Sequence, residues 1–193
     1  MRKLIALLFA LFLLAGCGMQ TRYTLLAHVA DFLDPEQKSG EVESPAPIDV
    51  ELYLPDDDGD LKTPDQDGHL VQLVGKPDAV EALALTIAAL VTETGGQNLE
   101  LTAGLYLAEA DADAIYIDEY KVTETSLTLA PKESGTLTLN LELSRSDPAF
   151  SRIGEEGFRV GVKLTAKNAK GFRYELKTLD ASLTTRRLGE ILR

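Results

Sequence analysis

Ile48, Val50, Leu52 and Leu54 alternate with Asp49, Glu51 and Tyr53, and Leu137, Leu139, Leu141 and Leu143 alternate with Thr136, Thr138, Asn140 and Glu142. A period of two sends successive side chains to opposite faces, so each run reads as a strand with one buried face. Phe158, Val160, Val162, Leu164 and Ala166 form a third such run. Asn168-Ala169-Lys170-Gly171 then predicts a turn, with Phe172, Tyr174 and Leu176 returning from it. A slip of phase near Thr178-Leu179, ahead of Leu183, predicts a bulge.

Residues 78–94 fit two templates. Asp78 with Glu81 matches a helix capping box, and Val80, Leu83, Ala84, Ile87 and Val91 match a helical stripe. Leu83, Leu85, Ile87, Ala89 and Val91 also alternate with period two. The turn Thr92-Glu93-Thr94-Gly95-Gly96 favours the strand, because Leu99, Leu101, Ala103, Leu105 and Leu107 follow it as the second arm of a hairpin would. Shorter strands are expected over residues 22–33, 115–120 and 122–129, and Pro131-Lys132-Glu133-Ser134-Gly135 is a turn. Asp147-Pro148 starts a helical turn or two, with Asp as cap and Pro at the first helical position. Many short strands with turn signals between them, and almost no helix, predict an all-β, antiparallel β-sandwich over residues 22–185, with a basic amphipathic tail at 186–193.

Val91-Thr92-Glu93-Thr94-Gly95, Gly104-Leu105-Tyr106-Leu107 and Leu129-Ala130-Pro131-Lys132-Glu133-Ser134-Gly135-Thr136-Leu137 are similar to bacterial immunoglobulin-like modules of the adhesion-associated type. Glu93 stands where those modules usually carry Asn. The resemblance implies an immunoglobulin-like sandwich that binds or spaces without catalysis.

The amino-terminal region follows a different pattern. Arg2 and Lys3 precede an unbroken apolar run over residues 4–14. A charged start, a short apolar core and a small-residue end describe an export signal, whereas a membrane-spanning helix needs about 20 apolar residues. Residues 1–16 are therefore read as a signal helix that is removed on export. Leu14-Ala15-Gly16-Cys17 resembles the lipobox of bacterial lipoproteins at each of its four positions. That resemblance implies a diacylglyceryl group on the Cys17 thiol, cleavage before it, and a fatty acyl chain such as palmitate on the new amino terminus. Gly18, in place of Asp, implies by analogy with enteric lipoproteins an outer-membrane address, on the periplasmic face or at the cell surface. Each buried methylene contributes about 0.8 kcal/mol, so two or three chains anchor a protein essentially permanently. Residues 17–21 form the tether. The steps from Cys17 to Arg22 span at most about 18 Å, which keeps the domain close to the membrane.

The chain carries 31 acidic and 19 basic residues, a net charge of −12; removing Arg2 and Lys3 with the signal leaves 31 against 17, or −14. Such a body is repelled by nucleic acid and by anionic lipid as a whole. Cys17 is the only cysteine, so no disulfide forms within the chain.

Asp56, Asp58, Asp60, Asp65 and Asp67 are the strongest candidate for chemistry, with Gly59 and Gly68 allowing tight turns among them. Calcium takes about six to eight oxygens of this kind. The EF-hand spacing is not met, since Thr63 occupies its first position and Val74 its closing one. The same residues also make a plain solvated turn. His28 and His69 have no metal-spaced partner. No serine lies in a Gly-x-Ser-x-Gly elbow, and Gly95-Gly96 lacks the lysine of a phosphate loop. Asp111 with Asp113, or Asp118 with Glu119, would serve a glycosidase only at the right separation. Arg186, Arg187 and Arg193 contrast with the acidic body and would meet lipid headgroups near the anchor. The resulting expectation is a lipid-anchored, exported, non-catalytic binding or scaffolding module of the cell envelope. Its partners would be the membrane, through Cys17, and an envelope protein; no cofactor is expected. The alternatives are a carrier holding an apolar ligand between the sheets and a calcium-dependent hydrolase built on the acidic loop.

Overall fold

The computed structural model describes residues 22–28, 30, 38–54, 68–72, 79–154 and 156–186. The signal run, Cys17, the tether, Asp56, Asp58, Asp60, Asp65 and Asp67, and the tail beyond Arg186 lie outside the described residues.

The structure is all-β and antiparallel, as the alternation predicts. The strands are β1 (Tyr23–His28), β2 (Ser39–Leu54), β3 (His69–Val71), β4 (Val80–Glu93), β5 (Leu99–Glu109), β6 (Lys121–Leu129), β7 (Ser134–Ser144) and β8 (Phe158–Thr185). The ambiguous segment is therefore a strand, β4.

β8, with 28 residues, is the hub. Its first part, residues 158–167, pairs with β5, and its second, residues 172–185, pairs with β4. β2 runs along the opposite edge across both parts, and β3 and β1 continue that edge at its two ends. β6 adds to β5, and β7 adds to β4. One sheet is thus folded about the middle of β8 into two facing halves. Leu101, Leu105 and Leu107 of β5 meet Leu137, Leu139 and Leu141 of β7 in the core between them.

The bend has a local cause. Asn168 adopts φ of +52°, a left-handed conformation that Asn tolerates better than most residues. Its N–H donates to the Asp49 carboxylate of β2 at 3.0 Å. The register of β2 shifts on both sides of this point, between Glu43 and Ile48 and between Ile48 and Val50, so β2 turns the corner with β8.

Three sequence expectations are corrected. Residues 168–171 do not close a hairpin, because the two parts of β8 find their partners in β5, β4 and β2 instead of in each other. Nor do β4 and β5 pair. Their link steps over the corner, where the N–H groups of Thr94 and Gly95 donate to Gly171 O at 3.0 and 3.2 Å. Gly95 and Gly171 are required by this approach, since a Cβ on Gly95 would lie 2.5 Å from Gly171 N. Residues 115–120 are not a strand; they form irregular chain ending in a short 3-10 helix, Asp118–Tyr120. The expected bulge is present. Ala88 and Ala89 of β4 face Thr178 and Leu176, which leaves Lys177 as the extra residue. The helical start at Asp147 is a 3-10 helix, Pro148–Arg152.

Glu93 fastens the end of the fold opposite β1. It is only 2% exposed, yet Oε1 accepts from the Gln97 N–H at 3.2 Å and Oε2 from the Lys132 N–H at 2.7 Å. One carboxylate therefore ties the β4–β5 link to the β6–β7 turn. Burial alone would raise its pKa, but the N–H groups of Lys132, Gln97, Gly95 and Gly96 outweigh burial and hold it below the ordinary 4.5. A carboxyl depressed on folding adds stability above its unfolded pKa, and this is lost as pH falls through the folded value. Glu93→Gln should cost about 1–3 kcal/mol at neutral pH, because it leaves buried N–H groups poorly matched. Urea midpoints measured from neutral pH downward should converge for the two proteins in acid; a constant gap would contradict this role.

Candidate functional site

Alternation in the β5 half of the sheet sends Tyr53 of β2, Lys163 of β8 and Tyr106 of β5 to its outer face. Residues 110–120 cross that face and cover it. Tyr106, Ala108 and Ile115 are buried there in a small second core, with Tyr116 and Tyr120 packed against it. Four of the six tyrosines of the chain, Tyr53, Tyr106, Tyr116 and Tyr120, are thus gathered on one side.

Two strand glycines make room for the rings. A Cβ on Gly161 would lie 2.3 Å from the Tyr116 hydroxyl oxygen, and one on Gly104 would lie 3.0 Å from the Tyr106 ring. Tyr116 meets Tyr53 edge to face at 4.9 Å between centroids, and meets Tyr106 in the same manner at 5.3 Å. Its hydroxyl donates to Leu54 O at 3.2 Å. Arg152 reaches over from the second 3-10 helix, stacks on Tyr120 at 5.2 Å and donates to Leu107 O and Glu119 O.

A polar triad borders the rings. Lys163 Nζ lies 2.8 Å from Glu51 Oε1 and 5.3 Å from the Tyr53 ring centre, while the Tyr53 hydroxyl donates to Glu51 Oε2 at 2.6 Å. The hydrogen bond from Lys163, with that from Tyr53, holds the Glu51 carboxyl below its ordinary value against the effect of burial. Burial pulls Lys163 down, but its bonds to Glu51 and Tyr53 outweigh this and raise it. Burial raises the Tyr53 phenol, and the bond to Glu51 adds to that. Each group is held more firmly in its resting form. That suits charge-assisted recognition more than proton transfer, which needs a pKa near the working pH.

The acidic loop is rooted at this face. It leaves after Leu54, whose carbonyl Tyr116 holds, and it returns at Gly68, whose missing Cβ would lie 2.3 Å from Ile115 Cδ1. Gly68 has φ of +61°, so glycine is favoured there on two counts. The other residues singled out by sequence are not brought together. His28 pairs with Asp180 across β1 and β8 at 2.7 Å, and His69 is exposed in β3. Asp111, Asp113, Asp118 and Glu119 are all exposed. Among the described residues, no three of His, Cys, Asp or Glu gather closely enough to hold a metal ion, and no helix is long and apolar enough to cross a membrane. A separate open groove of about 540 Å³ lies at the corner of β8, lined by Glu43, Ser44, Thr94 and Lys170 among others.

Sequence reasoning missed the tyrosine face. Its signal was available: Tyr53 occupies the polar phase of β2, and Gly104 and Gly161 interrupt strands whose other positions carry side chains.

The sequence matches no protein-family model and no curated protein. Among solved structures, the chain is similar to a bacterial lipoprotein from Bacteroides thetaiotaomicron, at 10% identity over 85% of this chain and 84% of that one, with a TM-score of 0.41. It is also similar to the VP2 subviral particle of infectious bursal disease virus, at 14% identity over 90% of this chain and 35% of that one, TM-score 0.38. A third is the Eiger TNF of S. frugiperda, at 11% identity over 84% and 91%, TM-score 0.36. The chain spans only 32–35% of the viral proteins it matches. With these identities and TM-scores, the likenesses carry no argument about binding or activity.

Gly161→Ala should push the Tyr116 ring out of its place and cost about 1–3 kcal/mol, as overfilled cores do. The near-ultraviolet circular dichroism of the tyrosines should weaken together with the thermal midpoint. Unchanged spectra would show that the rings are not locked as described.

Proposed function

We propose that this chain is an exported, lipid-anchored binding module of the bacterial cell envelope, without catalysis, and that it meets a protein partner through the tyrosine-lined outer face. The observation that carries this reading is the convergence of Tyr53, Tyr106, Tyr116 and Tyr120 beside the Glu51–Lys163 pair. Tyr53, Tyr116 and Tyr120 are partly buried above the buried Tyr106, and partly buried tyrosines with a polar end and a fixed geometry are what protein contact surfaces favour. Ile117, 46% exposed, projects from the same covering segment and supplies an apolar contact. The direction of the Glu51, Tyr53 and Lys163 shifts supports binding over hydrolysis. The interior between the two halves is filled by leucines such as Leu101, Leu105 and Leu139, which favours a solid module over a carrier. The anchor rests on the lipobox-like residues ending at Cys17.

Two measurements test the proposal. The intact mass of the mature protein should exceed that of the chain from Cys17 by two or three fatty acyl groups; a bare polypeptide mass would remove the anchor. A photo-crosslinking side chain at Ile117, in cells that make the protein, should give a discrete adduct, while the same probe at exposed Thr128 on β6 should not. Equal labelling from both positions, or none from Ile117, would remove the contact face.

A further inference from the structure

At the end of the fold where β1 begins, three arginines are collected from distant parts of the chain. Arg22 Nε lies 2.8 Å from Glu81 Oε2, and Arg186 Nε binds the other oxygen of the same carboxylate. The Arg186 N–H also donates to Ala79 O at 3.1 Å, and Arg145 Nε donates to Val80 O at 2.8 Å. Glu81 is nearly covered, with 10% of its side chain exposed, while Arg22 keeps 70% exposed and Arg186 keeps 44%. Among the described residues the other carboxylate at this end is Asp147, which accepts from the Ser144 N–H and hydroxyl at 2.7 and 2.8 Å. Among the described residues, three arginines against Glu81 and Asp147 leave a net +1 here, on a mature body of net −14. The next carboxylate inward is Glu142, one row deeper at Ala84. Tyr23 of β1, 38% exposed, directly follows Arg22.

We propose that this end is the surface on which the domain rests against the phosphate headgroups of the membrane that holds it. The inference rests on the lipid-anchor reading above. The tether from Cys17 to Arg22 spans at most about 18 Å, so β1 starts beside the bilayer. Exposed guanidinium forks match phosphate oxygens, and tyrosine is favoured at the membrane–water boundary. The acidic remainder is repelled by an anionic surface, so the same field that attracts this end turns the rest of the body outward. β4 alone has 14 residues, which at about 3.3 Å per residue puts the β4–β5 link roughly 40 Å further from the membrane.

The test uses the full mature lipidated chain in vesicles of phosphatidylethanolamine and phosphatidylglycerol whose headgroups carry a nitroxide quencher. An environment-sensitive fluorophore is placed on Ser146→Cys, beside Arg145, or on Asn98→Cys in the β4–β5 link; both positions are exposed. Quenching is expected at position 146 and not at position 98, and it should fall at position 146 in high salt or when Arg22→Gln and Arg145→Gln are combined. Equal quenching at the two positions, or none at either while the protein floats with the vesicles, overturns the resting surface. A chain that does not float with the vesicles overturns the anchor itself, and the inference with it.

Discussion

A single strand belongs to both halves of this molecule. β8 supplies one edge to β5 and β4 in succession and the other to β3, β2 and β1, so five of the remaining strands hydrogen-bond directly to it. Neither half of the sheet is complete without its part of β8. The leucine core exists because the strand bends at Asn168, which brings the β5–β6 side over the β4–β7 side. Asp49 meets the freed N–H of Asn168, and Gly95 and Gly171 permit the β4–β5 link to cross the bend in close contact. The turn ends are then pinned together by Glu93, a buried carboxylate surrounded by backbone donors.

This arrangement also places the surfaces. Folding one sheet on itself leaves each half with an outer face. On the β5 side that face is covered by residues 110–120 and their tyrosines, and the acidic loop springs from its edge at Leu54 and Gly68. On the β4 side it carries Ala84, Ala88 and Leu90 with polar pairs between them, Thr86 bonded to Asn140 and Thr92 to Ser134 across β4 and β7. The two faces therefore differ in chemistry although the strands beneath them are alike. The start of β1 and the end of β8 lie together, because β1 pairs with residues 180–185, and this puts Arg22 and Arg186 on one carboxylate.

Much of this was legible in the sequence. Period-two runs located β2, β5, β7 and both parts of β8, and the phase slip near Thr178 located the bulge at Lys177. Alternation states which side chains share a face, but it does not state which strand lies alongside. For that reason Asn168 read as a hairpin turn where it is a corner, and β4 with β5 read as a hairpin where β8 stands between them. Residues 115–120 have the apolar and aromatic content of a strand because they too bury one side, on the outer face and without a ladder. The tyrosine cluster draws its members from β2, β5 and a connecting segment separated by long stretches of chain, so no local window contains it. Cys17 is the reverse case: four adjacent residues carry its meaning, and no fold is needed to read it.

Native-state hydrogen exchange on the mature chain addresses the shared strand most directly. If β8 holds both halves, amides of Leu164 and Ala166, beside β5, and of Tyr174 and Leu183, beside β4, should exchange through one common opening with the same free energy and the same dependence on urea. Two separate openings, with the β5 side exchanging freely while the β4 side stays protected, would contradict the account.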